Sequence, residues 1–338
     1  MSRYTFALAG AALALTTAAP LAAQMMAPPA DPEPVIKEWT VPWGAEGRPR
    51  DPFMPADGER VFFVGQSGNY IGSLDPATGQ FQQYEIPEGT NPHNLIVDEA
   101  GQVWYAGNRN GTIGRLDPAT GQSKIFPMPE GVSDPHTLVF DKQGNIWFTA
   151  QQSGVVGRLK MATGQVDVVT VEGQRTRPYG ILMDDQDNPW IVLFGTNRVM
   201  TVDAATMAPR YFDLPREEAR PRRIGRTTDG MIWYGDWTAG MLGRLNPTTG
   251  QVTEWQLPGG ERARPYAMGV DSRDRVWVFQ TGIQPNTLVG FDQNTESFLS
   301  DTPVPSGGRT VRHMHFHAPT NSFWFGADTG TIGQVILP

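Results

Sequence analysis

The sequence contains no cysteine, and this absence removes several kinds of chemistry at once. Disulfide bonds, thiolate metal sites and cysteine nucleophiles are all excluded. Positive charge is also scarce, since 27 lysines and arginines face 35 aspartates and glutamates and the formal net charge is −8. Such a chain is unsuited to a phosphate backbone, so we expect no nucleic-acid partner. No glycine-rich loop joins a strand to a helix, which argues against a nucleotide site.

Long apolar runs are missing except at the N-terminus. There, Arg3 precedes an alanine-rich apolar stretch from Phe6 to Ala19, and small residues follow at a suitable place for cleavage. This arrangement predicts a signal peptide over residues 1–23, a disordered lead-in over 24–35, and a periplasmic or secreted protein. The alternative is an N-terminal membrane anchor, but the apolar stretch is shorter than the roughly 20 residues that cross a bilayer. No later segment is suited to cross a membrane, so we expect no membrane span once the signal is removed.

The rest of the chain is repetitive. One aromatic residue recurs at spacings of 42, 43, 43, 43, 44 and 47 residues. The recurring residues are Phe62, Trp104, Trp147, Trp190, Trp233, Trp277 and Trp324. Each begins a run of β-formers, which is followed by a second run, a turn rich in Pro and Gly, and an alternating run. Four short strands per unit predict an all-β fold, a seven-bladed β-propeller over residues 36–338.

The two ends of the chain are complementary. Residues Ile36–Pro42 resemble the fourth strand of a unit, yet they precede the first unit, and the last unit stops after its third strand, Ile332–Leu337. We therefore predict that the N-terminal strand completes the C-terminal blade, because a ring closed in this way has no open edge. We expect this closed ring to be a monomer.

The innermost strand of each blade lines the central channel of a propeller, and one position on this strand can be located by counting. Eleven residues before each recurring aromatic lie titratable groups, with Asp51 or Arg50 as alternatives in the first blade. The other residues at this position are His93, His136, Tyr179, Arg222, Tyr266 and His313. Titratable groups that converge on an axis predict a binding site for a small molecule.

Arginines crowd the loops that lead into these inner strands, all on one face of the ring. They are Arg48, Arg50, Arg175, Arg177, Arg216, Arg220, Arg262, Arg264, Arg309 and Arg312. Arginine makes two-pronged contacts with carboxylates and phosphates, so we expect an anionic or carbonyl-rich ligand. Two alternatives stay open: a polar channel lining without a role, and arginines paired only with neighbouring acids.

The second and third blades lack these arginines. They carry Asn91-Pro92-His93 and Asp134-Pro135-His136 instead. Since Asp134 and His136 are two residues apart on one strand, we expect both to project to the same face. Such a pair could hold a hard metal ion through the carboxylate while the imidazole moves a proton.

The repeated pattern Pro-His/Tyr-Gly-Ile, Trp-Phe-Thr, Ile-Gly-Arg-Leu and Thr-Gly-Gln resembles the streptogramin B (virginiamycin B) lyase family over about residues 36–338. That resemblance implies a lyase that opens a cyclic depsipeptide antibiotic by elimination at its ester, with Mg²⁺, and hence a role in antibiotic resistance. It implies that His136 is the general base, that His93 contacts the substrate, and that Asp134 is a metal ligand. Gln151 stands where the family has a second metal ligand.

Two other interpretations are compatible with the sequence. One is a non-enzymatic periplasmic propeller that binds an anionic ligand or a protein partner at its arginine-rich mouth. The other is a lactonase-type hydrolase, as found among six-bladed calcium propellers. Seven repeats and few axial carboxylates count against the second, because Ca²⁺ prefers six to eight oxygen ligands.

Overall fold

The computed structural model describes residues 33–338. The predicted signal peptide and most of the predicted lead-in lie outside these residues, and the first strand begins at Val35, the last position assigned to the lead-in. Within the described part, no helix is long and apolar enough to cross a membrane. The helical elements found there are single 3₁₀ turns at Ala45–Gly47, Gly260–Arg262 and Ala318–Thr320.

The described residues form seven antiparallel sheets of four strands, the blades of a propeller. A first strand, β1 (Val35–Thr40), precedes blade 1. Blade 1 comprises β2 (Pro49–Phe53), β3 (Val61–Gly65), β4 (Tyr70–Asp75) and β5 (Gln80–Glu85). Blade 2 comprises β6 (Pro92–Val97), β7 (Val103–Gly107), β8 (Thr112–Leu116) and β9 (Ser123–Pro127). Blade 3 comprises β10 (Pro135–Phe140), β11 (Asn145–Ala150), β12 (Val155–Lys160) and β13 (Val166–Thr170).

The remaining blades repeat this order. Blade 4 comprises β14 (Pro178–Met183), β15 (Pro189–Leu193), β16 (Arg198–Val202) and β17 (Pro209–Asp213). Blade 5 comprises β18 (Pro221–Arg226), β19 (Ile232–Asp236), β20 (Met241–Leu245) and β21 (Val252–Gln256). Blade 6 comprises β22 (Pro265–Val270), β23 (Arg275–Gln280), β24 (Thr287–Asp292) and β25 (Ser297–Pro303). Blade 7 comprises β26 (Val311–His317), β27 (Ser322–Ala327), β28 (Thr331–Ile336) and β1.

The N-terminal strand closes the ring as predicted. Strand β1 pairs antiparallel with β28, from Val35 opposite Ile336 to Thr40 opposite Thr331. Glu38 on β1 also accepts hydrogen bonds of 2.7 Å from the backbone N–H and the hydroxyl of Ser306, in the loop that leads to blade 7. The seven-bladed all-β fold predicted from the repeats is therefore confirmed.

The repeat motifs are explained by packing between strands. The recurring tryptophans are buried, and Trp104 donates its indole N–H to Asp98 at 2.8 Å, six residues earlier in the turn after the inner strand. The same bond recurs for Trp147 with Asp141, Trp190 with Asp184, and Trp277 with Asp271. The glycine of Ile-Gly-Arg-Leu faces an aromatic ring across the sheet: a Cβ on Gly114 would overlap the ring of Tyr105.

The first strands of neighbouring blades contact one another all the way round the ring, so these seven strands line the axis. We call the face on which they begin the entrance face, because the chain enters every blade there. We call the opposite face, where they end, the far face.

Candidate functional site

Each inner strand brings two consecutive residues towards the axis. In all seven inner strands, a β-bulge near the start of the strand interrupts the pairing with the second strand of the blade. In blade 3, for example, the bulge lies between Pro135 and Leu138. A bulge breaks the strict alternation of side chains between the two faces of a sheet. We call the second residue of these strands the first hub ring: Arg50, His93, His136, Tyr179, Arg222, Tyr266 and Arg312. The third residue forms the second hub ring: Asp51, Asn94, Thr137, Gly180, Arg223, Ala267 and His313.

This register corrects the predicted ring in blade 7, where the first-ring residue is Arg312 and His313 lies in the second ring. In blade 1, where Asp51 and Arg50 were alternatives, it selects Arg50. The cause is the turn after the inner strand. In most blades, the inner-strand residue that pairs with the recurring aromatic lies eight positions before it in the sequence, as Ile96 does before Trp104. In blades 1 and 7 the pairing residue lies nine positions before the aromatic. In these two blades, a count of eleven residues back from the aromatic therefore reaches the second-ring residue instead of the first-ring residue. A count forward from the start of each strand would have found Arg312.

Arg223 closes the channel. It lies on blade 5, and its guanidinium donates hydrogen bonds to Asp51 at 3.2 Å, to the Thr137 hydroxyl at 3.3 Å and to the backbone oxygen of Arg312 at 3.1 Å. These partners belong to blades 1, 3 and 7, so the side chain spans the axis. Both Arg223 and Asp51 are buried. The sequence analysis did not single out Arg223, although it directly follows Arg222.

The buried carboxylate of Asp51 is the centre of this closure. Besides Arg223, it accepts hydrogen bonds from Arg50 at 2.8 Å and from the Asn94 side-chain amide at 3.1 Å. Burial alone would raise the pKa of Asp51, but the charges of Arg50 and Arg223 outweigh burial and hold that pKa well below its usual range. Asp51 is therefore ionised and joins three blades.

The two histidines of the first hub ring lie against each other, with ring centroids 3.5 Å apart. His93 Nδ1 is 3.1 Å from the backbone oxygen of His136, so this nitrogen donates. His136 Nδ1 is 2.8 Å from the Thr137 hydroxyl, and its Nε2 is buried with no hydrogen-bond partner in the described part of the chain. Burial, with a smaller effect of the Arg223 charge, lowers the pKa of both histidines well below the ordinary value. Both imidazoles are neutral at pH 7.

Tyrosine and arginine share the neighbouring sector of the first hub ring. The hydroxyls of Tyr179 and Tyr266 are hydrogen-bonded to each other. The guanidinium carbon of Arg222 lies 3.5 Å from the ring centroid of Tyr266, 4.7 Å from that of Phe194 and 5.6 Å from that of Trp237. Cations stacked in this way are attracted by the negative ring faces. Arg222 is half-buried and forms no ion pair with any described residue.

Tyr266 lies near more positive charges than Tyr179 does. Four guanidiniums act on it, those of Arg222, Arg50, Arg223 and Arg312. Burial alone would raise the pKa of Tyr266, but these charges outweigh burial and lower it to about 7. Burial, together with the charge of Tyr266, raises the pKa of Tyr179 instead. Of the two hydroxyls, that of Tyr266 is therefore the more acidic.

Asp134 does not share a strand face with His136. It precedes β10, and its carboxylate accepts hydrogen bonds from the backbone N–H groups of Gln152 at 2.5 Å and Ser153 at 3.0 Å, and from the Ser153 hydroxyl at 2.6 Å. These bonds hold the turn between β11 and β12, which also contains Gln151. Both carboxylate oxygens of Asp134 are therefore already used by the protein.

The residues present do not fit a magnesium site. Mg²⁺ takes near-octahedral oxygen ligands, usually including one or two free carboxylates. Within residues 33–338, no three Asp, Glu, His or Cys side chains are grouped so that they could hold a metal ion. Magnesium stays a prediction that rests on the family resemblance, and we derive no chemical step through it.

Four of the ten arginines of the entrance face are held by the protein. Arg50 is paired with Asp51, Arg216 with Asp236 and Glu254, and Arg312 with Asp328, so the expected pairing with nearby acids accounts for these three. Arg220 donates to the backbone oxygens of Glu217 and Ala219. Six others in the entrance loops are exposed: Arg48, Arg175, Arg177, Arg262, Arg264 and Arg309. Exposed arginines at one mouth of the ring favour the approach of anions.

Two further histidines follow along the last inner strand but lie towards the far face. His315 stacks on Phe53, with centroids 4.1 Å apart, and His317 Nδ1 is 2.7 Å from the Thr320 hydroxyl. Both line a groove of about 520 Å³ that also includes Asp57. This groove does not include residues of the hub rings, so the two histidines are not part of the candidate site.

The fold and the hub define a class of protein, a seven-bladed propeller with a polar axial site. Comparison with solved structures leads to the same fold. Virginiamycin B lyase from Staphylococcus aureus superimposes with a TM-score of 0.81 at 20% identity, covering 90% of this chain and 100% of the lyase. A streptogramin B lyase structure gives 0.81 at 22% identity, covering 90% and 98%. A catalytically inactive variant of the Staphylococcus aureus enzyme with quinupristin gives 0.81 at 21% identity, covering 90% and 100%.

Sequence comparison identifies the family. The model of the virginiamycin B lyase family matches residues 36–288, which is most of the chain. No curated protein sequence matches significantly. The chain belongs to the virginiamycin B lyase family, as the repeat motifs indicated.

Proposed function

We propose that this protein is a lyase that opens an ester of a cyclic or carbonyl-rich small molecule by elimination at the entrance side of the hub. The observation that carries the proposal is the first hub ring, where two neutral imidazoles lie beside two phenols and several guanidiniums. Membership of the family supports the same class of reaction. A structural relative crystallised with quinupristin suggests the kind of substrate to test first.

An elimination of this kind needs a base and a positive environment. The base removes a proton from the carbon next to a carbonyl, the C–H electron pair becomes a C=C bond, and the C–O bond breaks with its electrons on the departing carboxylate. Negative charge develops first on the carbonyl oxygen and then on the carboxylate. Fixed cations and hydrogen-bond donors near these atoms stabilise the transition state.

His136 is the residue that we expect to contact the reacting atoms. Its Nε2 is the one polar atom of the imidazole pair that is buried without a partner among the described residues. With the proton on Nδ1, Nε2 can accept a proton from carbon, which is the role that the resemblance implies. With the proton on Nε2, the same atom can donate to the carbonyl oxygen. A neutral histidine serves either purpose.

Positive charge in the proposed site comes from arginine. Arg222 is half-buried beside Tyr266 and has a guanidinium nitrogen without a partner in the described part of the molecule, Nε. Its planar group suits a carbonyl or carboxylate oxygen. We propose that Arg222 binds the ester and stabilises the released carboxylate, while His93 and Tyr179 contact the substrate beside it. His313, in the second ring, stays a predicted contact.

Incubation of the purified protein with a streptogramin B and related cyclic depsipeptides tests the reaction. Ring opening by elimination leaves the mass of the compound unchanged and creates a new C=C bond, whereas hydrolysis adds the mass of one water. We expect an opened product of unchanged mass, and a comparison of the rate with and without Mg²⁺ tests the predicted cofactor. A product heavier by one water would contradict a lyase and support a hydrolase. Binding without any turnover would support the binding-only alternative.

His136→Ala is expected to reduce kcat/KM by about 100- to 10,000-fold, because a group that transfers a proton typically contributes this much. The matched control is His317→Ala, a histidine on an inner strand outside the hub. Equal rates for the two variants would contradict the role of His136. Circular dichroism of both variants confirms that any loss is not due to unfolding.

The proposal also includes the cellular location of the protein. The segment over residues 1–23 has the pattern of a secretory signal, so we propose that the propeller acts in the periplasm or outside the cell. Expression of the full chain, followed by fractionation and N-terminal sequencing, should find a shortened protein outside the cytoplasm. Full-length protein in the cytoplasm would contradict export.

A further inference from the structure

The groove that contains His315 and His317 opens on the far face, where the turns after the inner strands of blades 7, 1 and 2 lie side by side. Its volume of about 520 Å³ is within the range of sites that hold small organic molecules. No residue of either hub ring lines it. The groove is therefore separate from the site of the proposed reaction, and the inference drawn from it does not depend on that reaction.

Two of the turns that form this groove differ from those of the other blades. In blades 2 to 6 the residue six positions before the recurring tryptophan, an Asp or a Thr, accepts the indole N–H. In blades 1 and 7 this position is Ala56 and Ala318, and both line the groove. The aromatic of blade 1 is Phe62, which has no N–H, and the indole nitrogen of Trp324 in blade 7 is buried without a partner in the described part of the chain. These two turns thus do not make the stabilising contact that the other blades share.

The histidines of the groove have unused hydrogen-bonding capacity. His315 Nε2 is 3.1 Å from the backbone oxygen of Met54, so this nitrogen carries the proton and Nδ1 of the neutral ring is an acceptor. Burial lowers the pKa of His315 to about 4, which keeps the ring neutral at pH 7. His317 is 3% exposed, and its Nε2 is buried without a partner among residues 33–338. A buried polar atom of this kind is costly unless a partner satisfies it, so the groove offers polar as well as apolar contacts.

The groove combines apolar side chains with negative charge. Its apolar lining consists of Phe53, Met54, Pro55, Val97, Phe316 and Pro319. The carboxylates of Asp57, Asp98 and Glu99 also line it, and none of them forms an ion pair with a described residue. Among the described residues that line it there is no lysine or arginine. Such surroundings attract a cation and repel an anion, and aromatic rings strengthen the attraction.

We propose that this far-face groove is a second binding site, for a small organic amine in its protonated form. The ammonium group lies near the exposed carboxylates of Asp57 and Glu99, and the apolar part of the molecule lies against the rings of Phe53 and Phe316. His317 Nε2 provides the polar contact that orients the ligand. The exposed arginines of the entrance face favour anions, so the two mouths of the ring select ligands of opposite charge.

Calorimetric titration of the described propeller in its full chain with phenethylamine tests the site. We expect saturable binding of one phenethylamine per chain. Asp57→Asn combined with Glu99→Gln should weaken this binding by about 3- to 30-fold, because two exposed carboxylates no longer attract the ammonium group. Glu217→Gln combined with Glu218→Gln is the matched control, since it removes two exposed carboxylates from the entrance face, and it should leave the affinity unchanged. Equal affinities of the two double variants would overturn the proposal.

Ala318→Lys locates the bound amine. Ala318 is exposed, so a longer side chain is compatible with the fold, and the added ammonium group competes with the ligand for the same carboxylates. We expect a loss of affinity of about 10-fold or more. Ala318→Gln, which adds similar length without charge, should retain most of the binding. Phenethylamine binding that is unaffected by Ala318→Lys would place the probe elsewhere and contradict the site.

Competition with an anion tests the selection by charge. Phenylpropionate has the same ring and spacer as phenethylamine but ends in a carboxylate, so an excess of it should not displace bound phenethylamine, even if it binds at the arginines of the entrance face. Displacement would show that the groove does not select a cation. Absence of saturable phenethylamine binding to the wild-type protein would likewise overturn the proposal, and neither result bears on the lyase reaction at the hub.

Discussion

Replacement of Asp51 by alanine should lower the free energy of unfolding by about 3–5 kcal/mol, because it leaves buried arginines without their counter-charge. Asp51 is the carboxylate that both Arg50 and Arg223 contact, and all three side chains are at most 3% exposed. Removal of one member of a buried ion pair costs far more than removal of an exposed pair. Urea unfolding followed by tryptophan fluorescence measures the difference.

Asp185→Ala is the matched control for this experiment. Asp185 is also paired with an arginine, Arg226 at 2.5 Å, but its side chain is 66% exposed. Exposed pairs contribute about 0–1 kcal/mol, so the control should change stability little. Similarly small losses of stability in both variants would show that the Arg223–Asp51 ion pair does not stabilise the closure of the channel.

Acidification should destabilise the fold strongly between about pH 6.5 and pH 4. Burial lowers the pKa of His93 and His136 well below the ordinary value, and it lowers that of His313 to about 3. The unfolded chain therefore binds protons in this range that the folded chain does not bind, so stability falls as pH falls. With three such histidines, we expect a loss on the order of 10 kcal/mol by pH 4.

Urea unfolding at stepped pH values measures this loss. Stability should be retained above about pH 6.5, where these histidines are neutral in both states, and should decline steadily below it. In His136→Asn the slope of stability against pH should be smaller by about one proton, because one buried site has been removed. Stability that stays constant from pH 7 to pH 4.5 would contradict neutral, buried histidines at the hub.

These two predictions concern one property of the hub, the exclusion of water from charged and titratable groups. Arg223 and Asp51 close the axis, and the first hub ring lies between this closure and the entrance face. In such surroundings ion pairs are strengthened and unpaired charges are penalised. Burial also keeps His93 and His136 neutral, so stability and the proposed reaction depend on the same surroundings.

The sequence by itself determined the architecture of this protein. The spacing of the aromatics gave the number of blades, and the orphan strand Ile36–Pro42 gave the closure, because both are periodic features of local sequence. It also located most of the hub: His93, His136 and Tyr179 lie together as predicted. A closed ring of equal units brings equivalent positions to one axis, so repeat position is sufficient to predict this proximity.

Only the tertiary structure decided which groups interact across the axis. The turns of blades 1 and 7 are one residue longer, and this put Arg312 where His313 was predicted. Arg223 reaches three other blades, a distance that no local pattern records. Asp134 was predicted to face the hub, but two backbone N–H groups of a neighbouring turn bind its carboxylate. Register, bulges and hydrogen bonds between distant segments are set by packing, and for this reason they could not be obtained from periodicity.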